Sequence, residues 1–243
     1  MMGVMAAFDA RELLALWERV GAASLAERSD ALLAAQCEAP PSSLGQRNAA
    51  LVVLRARLFG DIQPLRGNCV RCGAAAEFVV DCGALSQALL PARDAAQPQL
   101  LAIDGHRVEF RVPDVADWRE ACAAKEFVAA MLGRCVTRCE RDDGTPCAPE
   151  DLPASAADAL SRRMEELEPG ATVGFELACP ECGTRWTAQM DVGEALWTEL
   201  QSRAERLLLD VDALARAYGW SEPQVLALSA TRRAAYLQLV GAA

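Results

Sequence analysis

Histidine and lysine are nearly absent from this 243-residue chain, which holds one of each, His106 and Lys125. Any Cys–His or Ser–His nucleophile pair would have to use that single imidazole, which follows an Asp104-Gly105 turn signal. G-x-S-x-G, a Walker loop and a dinucleotide-binding fingerprint are missing as well. The acid pairs Glu165/Glu166 and Asp142/Asp143 fall on a helix surface and in a loop, where carboxylates are ordinarily solvated. Catalysis is therefore not expected. Positive charge is also scarce: 24 Lys and Arg face 34 Asp and Glu, a formal net charge of −10. Phosphate binding needs clustered cations, so nucleic acid and anionic membrane surfaces are poor partners for this chain. No apolar run approaches the 18 or so residues of a membrane span. The segment Met1 to Val20 lacks the basic start, apolar middle and cleavage site of a signal peptide. A cytoplasmic protein is expected.

Cysteine, by contrast, is plentiful: ten residues in a chain that is 52% hydrophobic, enough for a substantial core. Without a secretion signal, such thiols are expected to bind metal rather than pair as disulfides. Four of them lie in one pattern that occurs twice. Cys69-Val-Arg-Cys72-Gly73 recurs as Cys179-Pro-Glu-Cys182-Gly183, and the register holds without a gap to Asp81-Cys82-Gly83 and Asp191-Val192-Gly193. A C-x-x-C-G turn points two thiolates at one place, and its glycine permits the left-handed backbone that frees N–H groups for sulfur. Two such knuckles make a tetrahedral four-thiolate site, with Cys69, Cys72, Cys179 and Cys182 as the expected ligands of one structural zinc. Ordinary ribbons separate their pairs by about 15–20 residues, whereas more than a hundred intervene here. Loop-closure cost rises only logarithmically, so a split ribbon is feasible if the inserted segment folds by itself. Two other readings stay open: turns kept for packing, or a redox dithiol. A redox C-x-x-C opens a helix, though, and these open hairpins.

The first 60 residues read as helices. Leu13, Leu16, Trp17 and Val20 make one stripe; Ser24 with Glu27 fits a capping box for a helix to about Cys37; Leu51, Leu54 and Leu58 stripe a third, stopped at Gly60. The outgoing strand of the first knuckle is expected at Glu77–Asp81. Leu100–Ile103 and Val108–Val112 flank Asp104-Gly105 as a hairpin. Asp114 caps a helix carrying Trp118, Phe127 and Met131; Glu140–Pro153 reads as a loop; Leu160, Met164 and Leu167 mark another helix, ended at Pro169-Gly170. Strands at Thr172–Leu177 and Trp186–Asp191 flank the second knuckle. A long helix from Glu194 to Tyr218 stops at Gly219, and helices capped by Ser221 and Ser229 follow.

Cys135 and Cys139, four apart, could share a helix face with Cys147 nearby as a second metal site. Alternatively Cys37, Cys82, Cys122 and Cys135 are small buried hydrophobes. At the C-terminus, Trp220 and Tyr236 either finish the core or, with Arg232 and Arg233, form a partner surface of the residue types that anchor interfaces.

The stretch Leu207-Leu208-Leu209-Asp210-Val211-Asp212-Ala213-Leu214-Ala215, continuing through Tyr218-Gly219-Trp220-Ser221-Glu222, Leu226-Ala227-Leu228-Ser229 and Arg232-Arg233-x-x-Tyr236-Leu237, is similar to the tail of T-even-type phage baseplate hub assembly chaperones. Leu16-Trp17-Glu18 and Leu54-Arg55-x-x-Leu58-Phe59-Gly60 fit the same family, which has relatives in contractile injection systems. The resemblance implies a non-catalytic cytoplasmic protein that binds baseplate hub or other tail proteins during assembly. It carries no catalytic residues over, so zinc rests on the cysteine motif alone.

The resulting expectation is an α+β chain, mainly helical, with a small β-rich centre of two CxxC knuckles and a hairpin. Its regions are expected to be helical over 1–62, the split ribbon with its insertion over 63–193, and a long helix with a helical hairpin over 194–243. A zinc-ribbon adaptor or regulator unrelated to tails, and a C-x-x-C thiol oxidoreductase, are the competing functions.

Overall fold

In a computed structural model the chain is described over residues 8–23, 27–35 and 38–241. Asp9 opens helix α1 (Ala10–Gly21) with a reciprocal capping box: its carboxylate accepts the Glu12 N–H, and the Glu12 side chain accepts the Asp9 N–H. The stripe below buries Leu13, Leu16 and Val20. Helix α2 covers Arg28–Leu33; the Ser24 cap and Cys37 end of the expected helix lie outside the described residues. The prolines at 40 and 41 precede Ser43, whose hydroxyl accepts the Gln46 N–H and starts α3 (Leu44–Phe59). Gly60, at φ 95°, ends it in a conformation suited to glycine.

Two antiparallel hairpins of one plan follow at different points of the chain. Strands β1 (Ile62–Asn68) and β2 (Ala75–Asp81) carry the first knuckle and run into α4 (Cys82–Ala88). Strands β6 (Val173–Ala178) and β7 (Arg185–Met190) carry the second and run into α8 (Val192–Tyr218). Each helix is capped by the aspartate that ends its ribbon. Asp81 accepts the Ala84 N–H, and Asp191 accepts the Glu194 N–H. The repeated Asp-x-Gly is thus a helix start, and α8 begins two residues before the expected Glu194. The ribbons touch through Phe78 and Phe175, whose ring centroids are 5.2 Å apart. A methyl group on Gly67 would come within 2.8 Å of the Leu177 Cδ1, which shows how closely the two ribbons approach there.

Between the ribbons lies a unit with its own core. Strands β3 (Gln99–Ile103), β4 (His106–Phe110) and β5 (Val136–Arg141) form an antiparallel sheet in that order. Asp104 and Gly105 both take positive φ, 48° and 72°, as a two-residue hairpin turn requires. The single helix expected after Asp114 is two, α5 (Val115–Ala123) and α6 (Phe127–Cys135), with the Trp118 and Phe127 rings 5.1 Å apart across the break. Strand β5 takes Glu140 and Arg141 from the loop expected at Glu140–Pro153, the rest of which carries no strand or α-helix, and corrects the expected helical position of Cys139. Its register sets Arg138 opposite Glu109 and Glu140 opposite Arg107, opposite charges across the strands. Helix α7 (Ala154–Leu167) closes the unit. Val108, Phe110, Met131, Cys135, Leu160, Met164 and Leu167 form one buried cluster.

Helices before and after that unit share the second cluster. Leu16, Val20, Leu51 and Leu54 pack with Leu196, Trp197, Leu200 and Leu207 of α8 and with Leu226 of α9 (Glu222–Leu226). A left-handed Gly219 ends α8, and α10 (Ala230–Gly241) follows. The architecture is α+β and mainly helical. No helix among the described residues is long and apolar enough to cross a membrane.

The two bodies are joined at the start of α3. Glu168, 2% exposed, accepts the Gly45 N–H at 2.7 Å and the Ser43 hydroxyl, so it caps a helix 123 residues earlier in the chain. Asn48 donates to the Gly170 carbonyl at 2.8 Å. Added methyl groups on Gly45 or Gly170 would meet the Leu89 carbonyl at 2.3 and 2.1 Å. Backbone runs against backbone here, and only glycine leaves room.

Candidate metal centre

Each knuckle is built by the same two backbone bonds. Cys69 donates to the Ala74 carbonyl and receives the Gly73 N–H; Cys179 donates to the Thr184 carbonyl and receives the Gly183 N–H. Gly73 and Gly183 stand at φ 74° and 69°, the left-handed turn that their motif position predicts. The turn aims amides at sulfur: the Arg71 N–H lies 3.4 Å from Cys69 Sγ, and the Cys182 N–H 3.4 Å from Cys179 Sγ.

Packing of the two hairpins brings all four sulfurs together. Cys69 Sγ is 3.7 Å from Cys182 Sγ, Cys72 Sγ is 3.5 Å from Cys179 Sγ, and all four lie within 4.8 Å of one another. Bonds of about 2.3 Å to a tetrahedral zinc set its sulfurs about 3.8 Å apart. The donor set and its spacing therefore fit such an ion. Four protein ligands would close the coordination sphere, leaving no position for a reactive water. Cys69 and Cys179 are buried, Cys72 is exposed and Cys182 is half-buried, so the cluster sits at the edge of the ribbons.

The thiols differ in acidity. At Cys182 the Thr184 hydroxyl, 3.3 Å away, and the Thr184 amide stabilise the thiolate and lower its pKa to about 6. Amides of Cys72 and Arg71 lower that of Cys69. At Cys72 the Ala74 amide also favours the anion, but the crowding sulfurs of Cys179 and Cys182 outweigh it and push the pKa up to about 12. Four sulfurs this close cannot all ionise without a cation to hold them.

Among the described residues this is the one group of three or more His, Cys, Asp or Glu placed to hold a metal. A second site at Cys135, Cys139 and Cys147 is not formed. Helix α6 ends at Cys135, and the strand that follows carries Cys139 away to a disulfide with Cys147. This also corrects the expectation that the thiols would avoid pairing. Cys135 is buried beside Met131, its thiol pushed up to about 11 by burial. Cys82 is buried too, with its pKa raised by burial against the opposing Arg55 guanidinium. Cys122 is exposed, contrary to expectation, and Cys37 lies outside the described residues. His106 bonds the Asp104 carbonyl through Nδ1 at 2.7 Å, closing its own hairpin turn.

At the C-terminus, Tyr218, Trp220 and Tyr236 form a three-ring cluster. Tyr218 stacks on Trp220 at 4.9 Å, and Tyr236 meets Trp220 edge-on at 4.8 Å. Trp220 and Tyr236 are half-buried and Arg232 is exposed. Arg233 is not part of that surface: it is 4% exposed and its Nε bonds Asp210 of α8 at 3.0 Å. The helical period explains the correction, since consecutive arginines on a packed helix point about 100° apart. Neither the Glu168 cap nor the Thr184 hydroxyl is signalled by any local pattern.

Compared with known protein families, curated proteins and solved structures, the chain matches none of them.

Proposed function

We propose that the chain is a zinc-stapled, non-catalytic binding protein that serves assembly of the baseplate hub in a phage-like contractile tail or injection system. The four-sulfur cluster carries the zinc half of this reading, because its spacing and closed donor set suit a structural ion. The assembly half rests on the C-terminal stretch similar to hub assembly chaperones and on the half-exposed ring cluster that stretch builds. Aromatic rings beside an exposed arginine are what a protein partner would bury. Trp220, Tyr236 and Arg232 are the proposed contacts, in the cytoplasm, with hub or other tail proteins.

Metal content of the tag-free protein by mass spectrometry tests the first half. One zinc per chain is expected, absent after Cys179→Ser/Cys182→Ser. For the second half, hub and neighbouring tail proteins encoded beside this chain are assayed for capture. Trp220→Ala/Tyr236→Ala is expected to abolish it while circular dichroism stays unchanged. Retained capture would sink the surface assignment, and a gene neighbourhood lacking sheath, tube and spike would favour an adaptor unrelated to tails.

One observation favours a thiol oxidoreductase instead: the acidic Cys182 lies 3.7 Å from Cys69, as an attacking thiolate would. Tightly held zinc that survives mild oxidant counts against that alternative.

A further inference from the structure

The β1–β2 ribbon has one strand edge that is blocked and one that is open. Its ladder is fixed at both ends, where Cys69 donates to the Ala74 carbonyl and Cys82 to the Asp61 carbonyl. Alternation between those ends makes Gln63, Leu65 and Gly67 bond across to Val80, Phe78 and Ala76, and turns the backbone groups of the residues between them outward. On β1 the outward residues include Pro64, which has no N–H to offer, as is common on a protected edge. On β2 they are Ala75, Glu77, Val79 and Asp81, none of them proline. No third strand pairs there among the described residues.

The side chains of the same residues share the outer face of the ribbon, opposite the Phe78 ring that meets Phe175. Val79 is 70% exposed and Ile62 56%, with Pro64 exposed beside them. The second ribbon differs at the matching positions, where it has Gln189, Thr172 and Gly174, and Thr187 in place of Glu77. Of two hairpins built on one plan, only the first turns large apolar residues to solvent. Pro64, Arg66, Glu77 and Val79 border a depression of about 540 Å3. Along the open edge the order is acid, apolar, acid: Glu77, Val79 and Asp81, the last keeping one oxygen on the Ala84 N–H.

We propose that the free edge of β2 takes an extended segment of a partner protein as a third, antiparallel strand. The main chain of that segment bonds Glu77 and Val79, and every second side chain reads basic, apolar, basic against Asp81, Val79 and Glu77. Charge sets the pattern, because two carboxylates flank one valine and like charges across a strand pair repel. Charge also disfavours a second copy of the chain as the occupant. Each central β2–β2 register that brings the outward groups together sets Glu77 opposite or diagonal to an acid of the other copy, in a chain of net charge −10. A two-stranded ribbon is marginal as a sheet, so a third strand also stabilises the ribbon itself. The edge involves none of the C-terminal rings, and the inference does not rest on the assembly reading.

The test is titration of the isotope-labelled full chain with acetyl-Thr-Lys-Thr-Val-Thr-Lys-Thr-amide, followed by amide chemical shifts and hydrogen exchange. Saturable binding is expected, with the Glu77 and Val79 amides shifted and protected and those of Thr187 and Gln189 unchanged. The same peptide with glutamate for lysine is expected to bind about tenfold more weakly or worse. Glu77→Lys changes only an exposed side chain and is expected to reduce that preference without loss of fold. Val79→Pro removes an outward N–H and no ladder bond, as Pro64 does on β1, and is expected to abolish binding. Gln189→Pro, the same change on the second ribbon, is expected to leave binding intact. No saturable binding at millimolar peptide, equal binding of the glutamate peptide, an unchanged preference in Glu77→Lys, or shifts confined to other residues would each overturn the proposal. Sedimentation showing a dimer that Val79→Pro dissociates would give the edge to a second copy and overturn it as well. Trp220→Ala/Tyr236→Ala is expected to leave peptide binding unchanged, and loss of binding there would place the peptide on the rings instead.

Discussion

The two ribbons share a motif, a backbone bonding scheme and a capping aspartate, and then diverge. The first leads into a seven-residue helix, α4, and the second into a 27-residue helix, α8. Nothing in the knuckles sets that difference. It follows from the residues beyond them: Leu196, Leu200, Leu207 and Leu214 keep one face of α8 apolar over about 27 Å, whereas α4 buries only Cys82 and Ser86. A helix as short as α4 has too few turns to be stable alone and depends on its packing against α3. The sulfur pairs diverge for an equally local reason. Two residues after its second cysteine, the first knuckle has Ala74 and the second has Thr184, and only the latter offers a hydroxyl to the thiolate. A common motif thus fixes where four sulfurs stand, while its neighbours decide their acidity and what each ribbon holds in place.

Breaking the shared feature is expected to have the largest effect. Metal binding to a four-thiolate site contributes on the order of 10 kcal/mol in small zinc domains. Cys179→Ser/Cys182→Ser, or chelation of the intact protein, is therefore expected to lower the midpoint of chemical denaturation more than any single core truncation. Equal midpoints with and without chelator would remove the staple.

The contrast between the helices comes next. Leu200→Ala is expected to cost about 2–5 kcal/mol, because Leu200 is fully buried in the core that α8 shares with α1 and α3. Leu85→Ala in α4, where the side chain is half-buried, is expected to cost clearly less. Urea titration of both variants measures the ratio. A similar loss at the two sites would mean that α4 carries more of the fold than its burial indicates. At the joint between the bodies, Gly170→Ala is expected to cost roughly 1–3 kcal/mol, since its methyl group meets the Leu89 carbonyl rather than a movable side chain.

The difference between the thiols is sharpened by pH. Cys72, held up to about 12, keeps its proton at neutral pH in the metal-free protein, whereas Cys182, at about 6, has largely lost its own. Zinc requires both as thiolates, so binding releases the Cys72 proton and affinity rises with pH. Below about pH 6 Cys182 is protonated as well, and the dependence becomes steeper. Zinc affinity measured against a chelator between pH 5.5 and 8 checks this, and a flat profile would contradict it. The smallest effect is expected from exchanging the two neighbours. In metal-free protein Thr184→Val slows alkylation of Cys182 near pH 7, and Ala74→Thr speeds that of Cys72.

Much of this was readable along the chain wherever a short segment determines its own conformation. Asp104-Gly105, the glycines of both knuckles, Gly219 and the Ser221/Gln224 box all behave as their residue types require, because positive φ and free helix amides are satisfied within a few residues. Strand β5 escaped notice for the converse reason. Cys135 and Cys139 have helical spacing, and only pairing with β4, through Val108, Glu109 and Phe110, makes Val136–Arg141 a strand. The ring cluster at the C-terminus was legible as a set of residues but not as a surface, because which of Arg232 and Arg233 faces solvent depends on how α10 lies against Asp210 of α8.

The amino-acid sequence by itself determined the left-handed turns, the capping aspartates and the pairing of thiols within each knuckle. All of these depend on contacts spanning a handful of residues. Tertiary structure alone decided that Cys139 pairs with Cys147, that Glu168 caps α3 and that Arg233 turns inward. Each of these depends on surfaces brought together from distant parts of the chain, where packing and burial choose the partner and local preference is silent.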